Sequence, residues 1–177
     1  MYMRAANDSD LNDIFLIERA AFNSNEEAEL VRNILADPSA RPLLSLVAFI
    51  DGHPVGHILF SRAQLSNNPQ VKVSILAPLA VIPDCQKQGI GGALVKRELL
   101  LSEKAGVGLV FVAGHPDYYP QYGFTPAGKL GFEPPYSIPE KDADAWMVHE
   151  LRPNIIKFAS GKVVCCDALN KPEYWRE

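Results

Sequence analysis

The apolar positions of this chain change their period several times, and each change marks an element. Tyr2 to Ala5 reads as a short first strand. Asp8-Ser9-Asp10 then supplies helix caps, and Leu11, Ile14, Phe15, Ile17 and Phe22 recur at helical spacing. Ser24 opens a second helix with Glu26 and Glu27 in its first turn, where the macrodipole favours acids. Leu30, Val31, Ile34 and Leu35 continue its apolar face, and Pro38 ends it. The period then shortens. Leu44 to Ile50 and Val55 to Arg62 read as two strands joined at Asp51-Gly52, a strong hairpin signal. After the loop Asn67-Asn68-Pro69, Val71 to Val81 is a long strand with Pro78 inside it. Proline cannot donate to a ladder, so this strand should splay from a neighbour or bulge at that point.

From Gly89 the helical period returns. Ile90, Leu94, Leu101 and Ala105 form a stripe with Ala93 and Leu100 beside it, and Lys96, Arg97, Glu98, Glu103 and Lys104 are expected on the solvated face. Leu109 to Ala113 is apolar throughout and reads as a central strand, followed by an aromatic, proline-rich loop from Gly114 to Phe124. Leu130-Gly131-Phe132 reads as a short strand, and Ala145 to Leu151 as a better one with Trp146 and Val148 on one face. From Lys157 to Ala168 the pattern is strand, turn at Gly161, strand. Strands alternating with helices imply an α/β domain with a sheet of mixed strand direction.

The 177 residues suit one domain, and 47% hydrophobic with 21% charged residues is an ordinary globular balance. A formal net charge of −4 does not favour a large nucleic-acid surface. No apolar run is long enough to span a membrane, and the first residues lack a signal-peptide core, so no membrane partner is expected. Cys85, Cys165 and Cys166 have no metal-ligand spacing and point to a reducing compartment, hence a cytoplasmic location.

The candidate chemistry lies between the strand ending at Val81 and the helix beginning after Gly89. Gln86-Lys87-Gln88-Gly89-Ile90-Gly91-Gly92 puts three glycines in four positions at a helix start. A helix N-terminus presents unpaired N–H groups and the positive end of the dipole, and glycine lets a phosphate approach them closely. Two familiar phosphate motifs fail. A P-loop needs Lys-Ser or Lys-Thr after its last glycine, where Ala93-Leu94 stands. A dinucleotide fingerprint needs a small residue at Leu94 and glycines directly after the strand, where Pro83 to Gln88 intervene. The run does fit Gln/Arg-x-x-Gly-x-Gly/Ala after an apolar strand. With Tyr119-Pro120-Gln121-Tyr122-Gly123-Phe124 downstream, it closely resembles the acetyl-CoA loop of the GCN5-related N-acetyltransferase (GNAT) superfamily. The wider run from Gly114 to Phe124 resembles a bacterial acetyltransferase subgroup with a Gly-Asp-Pro-x-Tyr-Tyr signature, with His115 in place of Asp. The resemblance covers roughly Met3 to Leu151.

That resemblance implies a single-domain GNAT-like fold, a mixed central sheet with one splayed strand and flanking helices. It implies a GNAT domain over residues 1–151 and a C-terminal extension, 152–177, packed on the same domain. It implies acetyl-CoA as cosubstrate and acetyl transfer to a primary amine by direct attack in a ternary complex. The alternative is a non-catalytic acyl-CoA-binding module or sensor. The cofactor residues it implies are Leu79, Ala80 and Val81 on the strand and Gln86, Lys87, Gln88, Gly89, Ile90, Gly91 and Gly92 in the loop. Tyr119 is the implied acid for the departing CoA thiolate, with Tyr118 and Tyr122 as competitors. A phenol near pKa ~10 can donate to a thiolate whose conjugate acid lies near ~8.5. The strand from Val71 to Val81 carries no acid, so Glu26, Glu27, Glu29 and His115 are the remaining candidates for a general base. Cys85 lacks a sequence-near His or Asp for acyl-cysteine chemistry, and His53 and His57 lack a partner at ligand spacing, so no metal is expected. Small amines, amino acids, antibiotics and protein amino groups remain open as acceptors. The C-terminal strand signals are available to build a homodimer edge.

Overall fold

The computed structural model describes residues 1–176 and builds these runs into one twisted sheet with helices on both faces; Glu177, the last residue of the expected extension, lies outside them. Strands β1 (Tyr2–Ala5), β2 (Leu44–Ile50), β3 (His53–Leu65) and β4 (Val73–Val81) are antiparallel neighbours in that order. The β2–β3 hairpin turns at Asp51 (φ 50°) and Gly52 (φ 79°), the two positive φ values that a tight hairpin turn demands. Strand β5 (Leu109–Ala113) pairs with β4 in parallel. Two short strands, β6 (Thr125–Pro126) and β7 (Phe132–Glu133), precede β8 (Trp146–Glu150), which lies antiparallel between β5 and β6. Strand β9 (Gly161–Val164) pairs with the end of β3 at Gln64 and Leu65, and with β7. The strand expected at a dimer edge is therefore engaged along its length inside the fold.

Helices α1 (Leu11–Phe22) and α2 (Glu26–Leu35) cover one face, and α3 (Ile90–Lys104) covers the other. Asn7 and Asp10 form a reciprocal cap ahead of α1, and Asp10 also takes the Arg4 guanidinium at 2.6 and 2.8 Å. The sheet divides the core by strand period. Phe111 of β5, with Trp146 and Val148 of β8, faces α1 and α2 together with Ile17, Val31 and Leu59. Val110, Val112 and Met147 face α3 together with Leu94, Val95 and Phe60. Burying one such side chain contributes roughly 1.5–3 kcal/mol. Ile155, Val163, Leu169 and Trp175 extend the α1/α2-side core.

Three expectations need correction, and the one at Pro78 is met. The buried face of α3 is rotated toward Val95, Leu99 and Ser102, which leaves Leu100 48% exposed and carries Glu98 fully inside. Leu130 lies in a 3-10 turn, and the strand there is only Phe132–Glu133. Lys157 lies in a short helix, α4 (Ile155–Phe158), so only the second half of the expected strand pair forms. At Pro78 the strand both bulges and splays. Against β3, the two-residue step from Ile58 to Phe60 faces the three-residue step from Leu79 to Leu76, while pairing with β5 stops at Ile75.

Candidate active site

The site is a fork in the sheet. Beyond Ile75, β4 and β5 part, so one edge of Leu76–Val81 is released from its parallel neighbour. An unpaired strand edge can accept an extended chain as an added strand, and Leu79, Ala80 and Val81 lie on this edge. The side chain of Gln86 turns back and donates to the Val81 carbonyl at 2.9 Å, bracing the strand end against the loop.

The loop leads directly to α3. Lys87 and Gly89 both have positive φ (62° and 84°), which turns the chain sharply into the helix. The first helical bond of α3 runs from Ala93 N–H to the Gly89 carbonyl, so the N–H groups of Ile90, Gly91 and Gly92 have no partner within the helix. Lys87, Gln88 and Gly89 are exposed beside them, with Gln88 Nε2 donating to the Asp84 carbonyl at 3.3 Å. The glycines also answer a packing need. A Cβ on Gly91 would come within 2.7 Å of the Tyr118 hydroxyl, and one on Gly92 would overlap the Tyr122 hydroxyl. Gly91 and Gly92 are thus where the helix start and the downstream aromatic loop meet.

That loop forms a cluster of edge-to-face rings. Tyr118 meets Tyr119 and Tyr122 with centroids 5.0 and 5.4 Å apart, and Tyr119 meets Phe124 at 5.6 Å. Tyr119 to Tyr122 is a 3-10 turn with Pro120 at its start, closed by Gly123 at φ 96°. His149 of β8 packs where a side chain on Gly123 would stand, so that glycine serves both the turn and the contact. The Tyr119 ring lies against the backbone of Gly114 and is 8% exposed. Burial, with a smaller contribution from Tyr122, raises its pKa. Burial does the same for Tyr118, assisted by its hydrogen bond with Tyr122.

At the mouth of the fork is a cleft of about 420 Å³. Its walls carry Leu76 to Leu79 of β4, Val112 and Ala113 of β5, and both Tyr118 and Tyr119. Phe22, Glu26 and Glu27 close one side from α1 and α2. Leu169, Glu173, Tyr174 and Trp175 close another. No motif in the sequence pointed to this last wall; the aromatic pair Tyr174-Trp175 was its one visible mark. Trp175 is held by its indole N–H, which donates to the Leu169 carbonyl at 3.0 Å, and by an edge contact with Trp146. A smaller, more apolar cavity of about 230 Å³ lies elsewhere, beside Phe60, Val71 and Ala105, and contains none of the expected site residues.

Of the four base candidates, Glu26, Glu27 and His115 line the cleft and Glu29 does not. His115 is exposed and accepts the Asp117 N–H at 3.2 Å, a turn-forming role. Cys85 is half-buried in the 3-10 turn Pro83–Cys85 before the loop. His53 is exposed at the start of β3. His57 is fully buried and has a carboxylate partner that spacing alone did not reveal, Glu18 of α1 at 2.9 Å.

The chain resembles known proteins along most of its length. The profile of the Acetyltransferase (GNAT) family matches residues 11–132. YjhQ of Escherichia coli K12, an uncharacterised N-acetyltransferase, is 44% identical over 161 residues, which is 90% of this chain and 88% of YjhQ. YhbS of the same organism, also an uncharacterised N-acetyltransferase, is 28% identical over 172 residues, 97% and 99% of the two chains. The crystal structure of E. coli YhbS in complex with CoA matches with a TM-score of 0.87 at 27% identity, covering 96% of this chain and 92% of that one. A GNAT family acetyltransferase from Brucella melitensis in complex with acetyl-CoA matches with a TM-score of 0.76 at 26% identity, covering 95% and 97%.

Proposed function

The chain belongs to the GNAT acetyltransferase family and is an N-acetyltransferase with acetyl-CoA as cosubstrate, and we propose that it moves the acetyl group to a primary amine by direct attack within a ternary complex. The observation that carries this reading is the fork, where a released strand edge runs straight into a helix N-terminus and a tyrosine-lined cleft opens beside both. In this reading the N–H groups of Gln88, Gly89, Ile90, Gly91 and Gly92 hold the pyrophosphate, and Lys87 adds charge beside the phosphates. The edge at Leu79, Ala80 and Val81, braced by Gln86, pairs with the pantetheine arm. The thioester then points into the cleft, where a strand N–H polarises its carbonyl and the amine attacks the carbonyl carbon.

The C–S bond breaks as the amide forms, and the sulfur needs a proton. Burial raises the pKa of Tyr119, so its phenol stays protonated and is no base, and as a donor to the departing thiolate it is a weaker acid than a free phenol and depends on being held beside the sulfur. Glu26, Glu27 and Glu173 on the cleft walls favour an acceptor that arrives as a cation. Three free cysteines, two of them buried, support a cytoplasmic setting. The test is the release of free CoA from acetyl-CoA across a panel of amines. Amine-dependent release above the hydrolysis rate is the expected result. Binding of acetyl-CoA without release for any amine would reduce the protein to an acyl-CoA binder.

A further inference from the structure

Glu18 and His57 are both 0% exposed, and Oε2 of Glu18 lies 2.9 Å from Nδ1 of His57. The other ring nitrogen, Nε2, lies 2.9 Å from Oγ of Ser45. Side chains from α1, β3 and β2 thus stand in the order of a serine–histidine–carboxylate triad, an arrangement known by its geometry and not by its fold. The serine end is open. Half-buried Ser45 lines a second cleft of about 350 Å³, which shares no wall residue with the cleft at the fork. Leu11, Phe15 and Leu43 give this second cleft an apolar side, and Arg32, Arg41 and Asp8 a charged one. Arg32 stacks over the Phe15 ring, and Arg41 donates to the Leu35 carbonyl at 3.1 Å. Both contacts hold a guanidinium in place without neutralising it. At the buried end, Oε1 of Glu18 has no hydrogen-bond partner among the described residues. An unsatisfied carboxyl oxygen is costly in a core, so packing alone does not account for the row.

We propose that Ser45 is an activated nucleophile, acylated in the second cleft by a compact acyl phosphate. The proposal is independent of the amine-transfer reading. The apolar side suits the acyl group, and the two arginines suit the phosphate. Ser45 Oγ attacks the acyl carbonyl carbon, and its proton passes to Nε2 of His57. The bond from that carbon to the bridging phosphate oxygen breaks, and inorganic phosphate leaves with the electron pair. The products are O-acyl Ser45, phosphate and a His57 imidazolium paired with the Glu18 carboxylate, with no change in oxidation state. Burial of His57 selects the donor. A ring that is 0% exposed cannot hand its proton to a leaving group in the cleft, so that group must depart as a stable anion. The same burial keeps water from the ring, so the acyl group stays and the reaction stops after one turn. Glu18 is a positioning residue that sets the tautomer of His57. The charged groups whose fields reach it are His57 of β3 and Glu27 of α2; β2 presents Ser45 and β4, opposite His57, Ala80, neither of them charged. Burial and the charge of Glu27 outweigh the His57 contact and raise the pKa of Glu18. While Glu18 is protonated, its O–H donates to Nδ1, and Nε2 already carries a hydrogen. Once Glu18 ionises, Nδ1–H donates to it and Nε2 is free to take the serine proton, so acylation should rise with pH.

The test incubates the full chain with acetyl phosphate and maps O-acetyl groups by peptide mass spectrometry. Surface lysines react without any cleft, so only acetyl on Ser45 counts. Ser45 of the parent should be acetylated, faster in mild alkali than in mild acid, and acetylation should stop once that site is filled. Glu18→Gln, with a melting curve to confirm folding, should slow it about tenfold or more and flatten its dependence on pH. Arg41→Ala should slow the reaction with acetyl phosphate more than that with p-nitrophenyl acetate, whose leaving group is an anion without phosphate. No acetyl on Ser45 of the folded parent from either donor overturns the proposal, and that result needs no variant to fold. A parent-like rate and pH profile in Glu18→Gln overturns the triad. Acetylation of Ser45 by acetyl-CoA and not by acetyl phosphate overturns the assigned donor, and equal slowing with both probes in Arg41→Ala overturns the phosphate contact.

Discussion

The pKa of Tyr119 is raised because its phenol is packed among Gly114, Tyr118 and Phe124, where a phenolate would be poorly solvated. Tyr119→Phe removes one hydroxyl and leaves that packing in place. Single-turnover acetyl transfer should fall roughly 10²-fold, the scale of a lost general acid, with acetyl-CoA affinity within a few-fold of the parent. Tyr118→Phe and Tyr122→Phe should cost less, and a parent-like single-turnover rate in Tyr119→Phe would return the residue to packing. Glu98 makes a different case. Its carboxyl is fully buried, neither oxygen has a hydrogen-bond partner among the described residues, and burial pushes its pKa to about 8 from an ordinary 4.5. A pKa raised in the folded state contributes stability that is fully present below 4.5 and lost as pH rises through about 8. Glu98→Gln should therefore flatten the decline of Tm between these values and melt above the parent in mild alkali. Glu18 has the same sign, so part of the slope should remain. A parent-like pH profile of Tm would place Glu98 in contact with solvent.

Two elements hold the site from opposite ends of the chain. The start of α3 is crowded by the tyrosine loop, so Gly91 is confined by packing as well as by its place at the helix start. Gly91→Asp should weaken acetyl-CoA binding by at least about tenfold, through repulsion of phosphate and through pressure on Tyr118. Gly91→Ala separates the two causes, because it adds the Cβ without the charge. Calorimetry showing parent-like binding in Gly91→Asp would move the phosphate site elsewhere. The segment around Trp175 makes the second wall. Trp175→Ala should destabilise the fold by about 3 kcal/mol, as usual for a deleted buried aromatic. It should also raise the amine KM more than the acetyl-CoA KM. Equal effects on the two would separate this segment from the acceptor.

At the scale of the molecule, acetyl-CoA should act as a clamp across the fork. A ligand bound only by the native state stabilises it by about 2.7 kcal/mol at a hundredfold excess over its dissociation constant. Tm should rise with acetyl-CoA and less with dephospho-CoA, and equal shifts would show that the 3′-phosphate adds nothing to binding. Sequence periodicity was a good guide wherever a local rule decides the structure. Asp51-Gly52 turned as a hairpin, Trp146 and Val148 shared a face, and the glycines after Gln88 opened a helix. It failed where distant segments decide. Nothing near Glu98 in the chain shows that α3 sinks deep enough to bury it. Glu18 and His57 stand 39 positions apart, so no spacing rule could join them. The wall at Glu173 to Trp175 reaches the cleft only through tertiary packing.

The contact between Trp146 and Trp175 gives the protein a built-in optical gauge. The chain has two tryptophans, and their rings meet edge to face with centroids 5.8 Å apart. One of them, Trp175, lines the cleft proposed for the acceptor. All tryptophan emission therefore arises from a single coupled pair at that wall. An amine that enters the cleft should change its colour or yield, without label, acetyl-CoA or turnover. Acceptors can thus be sought by titrating amines against intrinsic fluorescence, with Trp175→Phe as the variant that should go silent.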